Sequence, residues 1–224
     1  ENLALRGIIF IMPVTMRRVQ RISREGRSNA EPSETTRQAP QWTKRQRIAL
    51  AYLNGALGDA SRNKKSRIRY VQKYPEWLNT LQQLLKEVGA ASWIYQEGKQ
   101  RSVFALETCC LHLNFACDGE RLETQDEKTA YIRGFFDAEG GVPHGATAKF
   151  YIQLVQKDRL KIEKLALMLN TLGIRTGKIH NPSVRVDPEY WRVFISTQSH
   201  RAFARIIGSH HPIKGPILRT RMKI

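Results

Sequence analysis

The sequence predicts an α+β chain built from two tandem copies of one unit, and three observations predict it. The first is a gapless internal match: VQKYPEWLNTLQQLLKEVG at 71–89 superposes on VQKDRLKIEKLALMLNTLG at 155–173, from the Val-Gln-Lys triplet to the closing glycine. The second lies downstream, where SVFAL at 102–106 matches RVFIS at 192–196, and His112, Phe115 and Ala116 match His200, Phe203 and Ala204. The third is an acidic residue, Asp59 or Glu139, that closes an apolar, small-residue run at the head of each copy. On this reading the copies span 41–125 and 126–224.

The elements of each copy follow in the same order. The run that ends in the acid is the first helix. After it, Arg67 and Arg69 alternate with Ile68 and Tyr70, and Lys149, Tyr151 and Gln153 alternate with Phe150, Ile152 and Leu154. Period-two alternation predicts a strand with one apolar face on the core and one polar face outward. Within the repeated stretch, Trp77, Leu78, Leu81, Leu84, Leu85 and Val88 keep helical spacing, as do Ile162, Leu165, Leu169 and Leu172. Gly89 and Gly173 stand where a helix C-cap requires positive φ. A strand and a further helix complete each unit.

Charge narrows the partner. At 224 residues, 41% apolar and 25% charged, the composition is that of an ordinary soluble protein, but the net charge is +17 and the pI about 10.2. Such an excess points to a polyanion. From Tyr190 to Ile224 there is no acidic residue, while Arg192, Arg201, Arg205, Lys214, Arg219, Arg221 and Lys223 supply positive charge. Cys109, Cys110 and Cys117 signal neither a disulfide framework nor a zinc site, which suits a reducing, intracellular setting. The apolar run from Ile8 to Val14 is too short to span a membrane and is cut by Pro13. The Arg-, Ser- and Pro-rich character of residues 1–40 predicts a flexible basic extension.

IRGFFDAEG at 132–140 resembles the LAGLIDADG motif, and GALGDAS at 55–61 resembles its LLGDA variant. With the paired Gln-Lys strand ends and glycine helix ends, nearly everything after residue 45 is similar to the LAGLIDADG homing endonucleases of the single-chain, two-motif type. The resemblance implies a monomeric pseudo-dimer of two αββαββα units, with saddle-shaped antiparallel sheets related by a pseudo-twofold axis through the two motif helices. Gly55, Gly58, Gly134 and Ala138 would let those helices approach closely. Asp59 and Glu139 would then meet at their C-terminal ends and hold Mg²⁺, with Mn²⁺ a possible substitute, for the hydrolysis of one phosphodiester in each strand of duplex DNA, leaving 3′ overhangs. By the same resemblance, Gln72, Gln156, Lys73 and Lys157 orient solvent and balance phosphate charge, and Lys214 is a basic residue near the site. Lys65, Arg67 and Arg69 would face DNA from one saddle, and Lys149, Tyr151, Gln153 and Arg192 from the other. Unlike faces imply an asymmetric target. Asp137 fits a position that stabilises the helix end, and His210 and His211 read as phosphate contacts or plain surface. An intron RNA maturase and a non-cleaving DNA-binding protein are the alternative functions.

One departure from the motif concerns register. Gly134 lies five residues before Glu139, whereas the residue five before Asp59 is Asn54, with Gly55 one later. Either Asn54 enters the helix crossing, or the first helix shifts locally.

Overall fold

The computed structural model describes residues 41–63, 67–98, 102–117, 119–145 and 147–224, which form one compact unit. The predicted basic extension and Lys65 lie outside the described residues. No helix among the described residues is long and apolar enough to cross a membrane.

Helix α1 (Lys44–Gly55) starts at Thr43, whose hydroxyl accepts the Gln46 N–H while the Gln46 side chain accepts the Thr43 N–H. This capping box satisfies two otherwise orphaned donors. The helix continues as a 3₁₀ turn (Ala56–Asp59) into β1 (Ala60–Arg62) and β2 (Ile68–Gln72). Helix α2 (Pro75–Glu87) follows, with proline at its first turn and Gly89 at φ +70° after its end. Strands β3 (Ser92–Gln96) and β4 (Phe104–Thr108) complete an antiparallel sheet in the order β1-β2-β4-β3. The predicted alternation holds in β2: Ile68 and Tyr70 are buried, with Trp77, Leu78, Leu81 and Leu85 of α2 in the same core, while Arg69 and Val71 take the other face.

The second half opens with α3 (Gln125–Glu139), capped by Thr124, and continues with β5 (Gly140–Gly141), β6 (Gln153–Gln156) and α4 (Arg159–Thr171). Asp158 caps α4, and Gly173 at φ +75° follows its end. Then come β7 (Trp191–Phe194), α5 (His200–Ile206) and α6 (Lys214–Met222), with an antiparallel sheet ordered β5-β6-β7.

Three features differ from the αββαββα expectation. The strand predicted from Lys149 starts only at Gln153, because its partner β5 is two residues long and Pro143, lacking an N–H, cannot extend the ladder. Lys149 and Tyr151 therefore precede the strand. On the other side of β7, a paired strand is reduced to two isolated bridges, Thr176 with Ile195 and His180 with Arg192. The Asn181 amide there donates to the carbonyls of Asp187 and Pro188, both at 2.9 Å, and holds the chain in a loop. Finally, the residues after β4 form turns instead of the expected helix. Asn114 accepts the Ala116 N–H at 3.0 Å, a local bond that competes with helix formation.

The two motif helices cross at their glycines. A Cβ on Gly55 would run into the Tyr131 carbonyl oxygen of α3, and one on Gly134 into the Tyr52 carbonyl oxygen of α1. Near the helix starts, Arg47 pairs with Glu127 at 2.9 Å and Lys44 with Asp126 at 2.7 Å. Asn54 is not in the crossing. It is 8% exposed, and its side-chain oxygen accepts the Asn114 N–H at 2.9 Å.

Candidate active site

The register question has a geometric answer. Four residues at 3₁₀ geometry advance about 8 Å and turn about 480°, while five at α geometry advance about 7.5 Å and turn about 500°. From Gly55, the 3₁₀ turn thus carries Asp59 nearly as far, and to nearly the same side, as the α-helix carries Glu139 from Gly134. The local shift is in helix type, and it absorbs the missing residue.

Both acids close on one place. Gly58 sits against Glu139 so tightly that a Cβ would stand 2.6 Å from Oε1 of that carboxylate. The Asp59 carboxyl is pushed up to about 6, first by burial and then by the negative charge of Glu139, with Lys214 and the Gln72 hydrogen bond pulling the other way. Burial also raises Glu139, against the opposing charges of Lys214 and Lys161. Gln72, at the end of β2, donates from Nε2 to Asp59 Oδ2 at 3.0 Å.

Lys214 enters from the first turn of α6. Its Nζ donates to the carbonyls of Asp137 at 2.7 Å, Phe136 at 3.0 Å and Ala138 at 3.4 Å. The ammonium therefore occupies the C-terminal end of α3, where free carbonyls concentrate partial negative charge. Burial lowers its pKa, while Asp137, Asp59 and Glu139 hold it up.

Asp137 turns away from the acid pair. It is 1% exposed, and its Oδ2 accepts the Tyr52 hydroxyl at 2.5 Å and the His210 N–H at 2.9 Å, while Oδ1 accepts the Ser209 hydroxyl. Tyr52 in turn accepts the Trp77 indole N–H at 2.9 Å. One carboxylate thus fastens α1, α3 and the segment that delivers Lys214. His210 packs 5.4 Å from the Tyr52 ring and His211 6.0 Å from Trp77; burial and the Lys214 charge push His211 down to about 4. Both histidines belong to this packing.

No hydrogen bond or ion pair joins the other residues named from sequence to Asp59 or Glu139 among the described residues. The Gln156 side chain folds onto its own chain and accepts the Lys157 N–H at 2.7 Å. Lys73 and Lys157 are exposed at strand ends, and no hydrogen bond or ion pair ties their side chains to Asp59 or Glu139. Arg67 and Arg69 lie on the outward sheet face but are already paired, Arg67 with Glu107 at 3.3 Å and Arg69 with Glu97 at 2.9 Å. Arg192 is sandwiched by rings, 5.4 Å from both Tyr190 and Phe194. Tyr151 meets Phe194 edge-on at 5.9 Å, and Gln153 lies in β6 opposite Phe194. Sequence reasoning missed Lys161, whose charge reaches Glu139 from α4, and Glu107; nothing in the local pattern marks either.

Two carboxylates that repel one another and have lost much of their hydration suit a hard divalent cation. No cluster of three or more His, Cys, Asp or Glu that could hold a metal occurs among the described residues. Further ligands would therefore be oxygens from outside these side chains, such as phosphate and water.

Residues 126–208 match the LAGLIDADG-like domain family. Among solved structures, the fold is similar to that of the homing endonuclease I-DmoI. Its complex with DNA and Ca is 24% identical, covers 81% of this chain and 100% of that one, and has a TM-score of 0.58. The complex with DNA and Mn is 25% identical, covering 73% and 97%, with a TM-score of 0.54. The N-terminal LAGLIDADG domain of DUF199/WhiA is 13% identical, covering 76% and 87%, with a TM-score of 0.56. No curated protein matches the sequence.

Proposed function

We propose that this chain, whose residues 126–208 match the LAGLIDADG-like domain family and whose fold is similar to that of I-DmoI, is a site-specific, divalent-metal-dependent endonuclease of double-stranded DNA. The observation that carries this reading is the convergence of Asp59 and Glu139 at the ends of two crossing helices, with Gln72 and Lys214 beside them. The fold alone would not carry it, because the same fold serves as a domain of DUF199/WhiA. Variants of I-DmoI have been seen with their target DNA in the presence of Mg and of Mn, which supports a similar partner and similar ions here.

Asp59 and Glu139 would hold Mg²⁺ or Mn²⁺, whose chemistry there is to polarise phosphate oxygens and acidify water. The chain's own groups prepare that place. Gln72 fixes the rotamer of Asp59 through its hydrogen bond, and Gly58 leaves room for the Glu139 side chain. Lys214 offsets part of the negative charge where the helix end and both carboxylates converge. The +17 charge supplies the long-range attraction to a phosphate backbone.

Replacing Lys214 by Met removes a charge that lowers the pKa of both carboxyls, so both move further up. The acid limb of a single-turnover cleavage profile is then expected to move to higher pH than in the wild type. An unmoved limb would separate Lys214 from the pair.

The functional test is exposure of a randomised duplex library to the wild type, Asp59→Asn and Glu139→Gln in Mg²⁺, with binding followed in parallel. Cleavage at one long sequence, lost in both variants while binding persists, is the expected outcome. Loss in Glu139→Gln alone would take the role from Asp59. Tight binding of structured RNA with no duplex cut would replace the nuclease by a maturase.

A further inference from the structure

The outward face of the four-stranded sheet carries a nearly buried carboxylate that gathers two arginines and a tyrosine. Strand register sets Ser61, Arg69, Glu107 and Trp93 on one rung across the whole sheet. Glu107, at 9% exposure, is mid-sheet. Its Oε1 accepts the Tyr95 hydroxyl at 2.8 Å and stands 3.8 Å from Arg69 Nε; its Oε2 accepts from Arg67 at 3.3 Å. Arg67 also lies over the Trp93 ring at 5.2 Å, and Arg69 reaches Glu97 at 2.9 Å.

Stability does not explain this arrangement. Partly exposed ion pairs contribute little, and a carboxylate drawn out of water costs desolvation. What the carboxylate does accomplish is orientation: two guanidinium groups are held in place before any ligand arrives, which reduces the entropy lost on binding. It also changes what they attract. The charges of Arg67, Arg69, Glu97 and Glu107 cancel as a group, so this rung adds little to phosphate attraction. A G·C pair, by contrast, offers the major groove two acceptors on guanine, which an arginine held in a fixed orientation complements. Among the described residues of the other half, Arg192 is held instead by the rings of Tyr190 and Phe194 and by the Tyr190 hydroxyl at 3.3 Å.

We propose that Glu107 is a positioning residue that presents Arg67 and Arg69 to base edges instead of phosphates, so that the half of the target facing this sheet is read for G·C pairs. The inference rests on the duplex-DNA reading above.

The test is selection of bound sequences from a randomised duplex library without divalent metal, comparing wild type with Glu107→Gln. Guanine preference is expected to flatten about tenfold in the half-site under this sheet and to persist in the other half. Affinity for unrelated duplex is expected to rise, with a steeper salt dependence, because a negative charge has gone. A purely structural glutamate would weaken both halves and lower affinity. Tyr95→Phe, which removes one of the donors to the carboxylate, should give a milder flattening in the same half-site and covers a failure of Glu107→Gln to fold. An unchanged profile in both variants, with wild-type selectivity intact, overturns this inference alone. A wild type without any sequence preference overturns the nuclease reading and this inference with it.

Discussion

Asp59→Asn is expected to make the protein more stable at pH 7.5 while abolishing cleavage. The Asp59 carboxyl stands at about 6, above its ordinary 3.8, so between those values the folded state holds a proton that the unfolded state has released. Stability contributed by this group is therefore complete below pH 4 and falls as pH rises through 6. At pH 7.5 the charged form costs roughly 2–3 kcal/mol, the free-energy equivalent of that shift reduced for partial exposure. The neutral amide escapes this cost and keeps the shape. Urea unfolding at pH 7.5 and pH 4 checks the sign: the variant should gain at the higher pH and lose the advantage at the lower. Equal stability at both would mean that neither burial nor the neighbouring Glu139 raises this carboxyl. A site that weakens its own fold in the absence of ligand is the pattern expected where function and stability compete.

Gly134→Ala is the second large effect, and its sign separates local from tertiary reasoning. In an exposed helix the change would stabilise by about 1 kcal/mol. In the crossing, the new Cβ meets the Tyr52 carbonyl oxygen and also crowds the Ala56 N–H, both backbone atoms that cannot rotate away. Overpacking of this kind costs about 1–3 kcal/mol or more, and separating α1 from α3 would also pull Asp59 from Glu139. The variant is expected to lower the urea midpoint and to lose cleavage together. A stabilised, active Gly134→Ala would contradict the helix crossing itself.

Much of this was legible in the sequence because it depends on local pattern. The Val-Gln-Lys triplets, the glycines after α2 and α4 and the alternation around Tyr70 all concern residues within a turn or a strand of one another. The meeting of Asp59 and Glu139 was legible for the same reason, each at the end of its own small-residue run. What the pattern left open depends on contacts between distant segments. Asn54 is an odd residue in its motif until its hydrogen bond to Asn114, sixty residues on, is seen. The change to 3₁₀ geometry that restores the register of Asp59 has no composition signature. Lys161 and Glu107 looked like ordinary charged residues of a helix and a strand, and only tertiary packing brings them to Glu139 and to the arginines. The missing helix after β4 shows the converse: His112, Phe115 and Ala116 match their helical counterparts in identity, yet an Asn114 turn decides the backbone.

The most direct measurement is the sequencing of both ends of every duplex that the wild-type chain cuts from a randomised library in Mg²⁺. Paired breaks are expected at one long asymmetric sequence, one in each strand, leaving 3′ overhangs and requiring the divalent ion. Intact duplex under those conditions, or breaks that survive chelation of the metal, would contradict the proposed function.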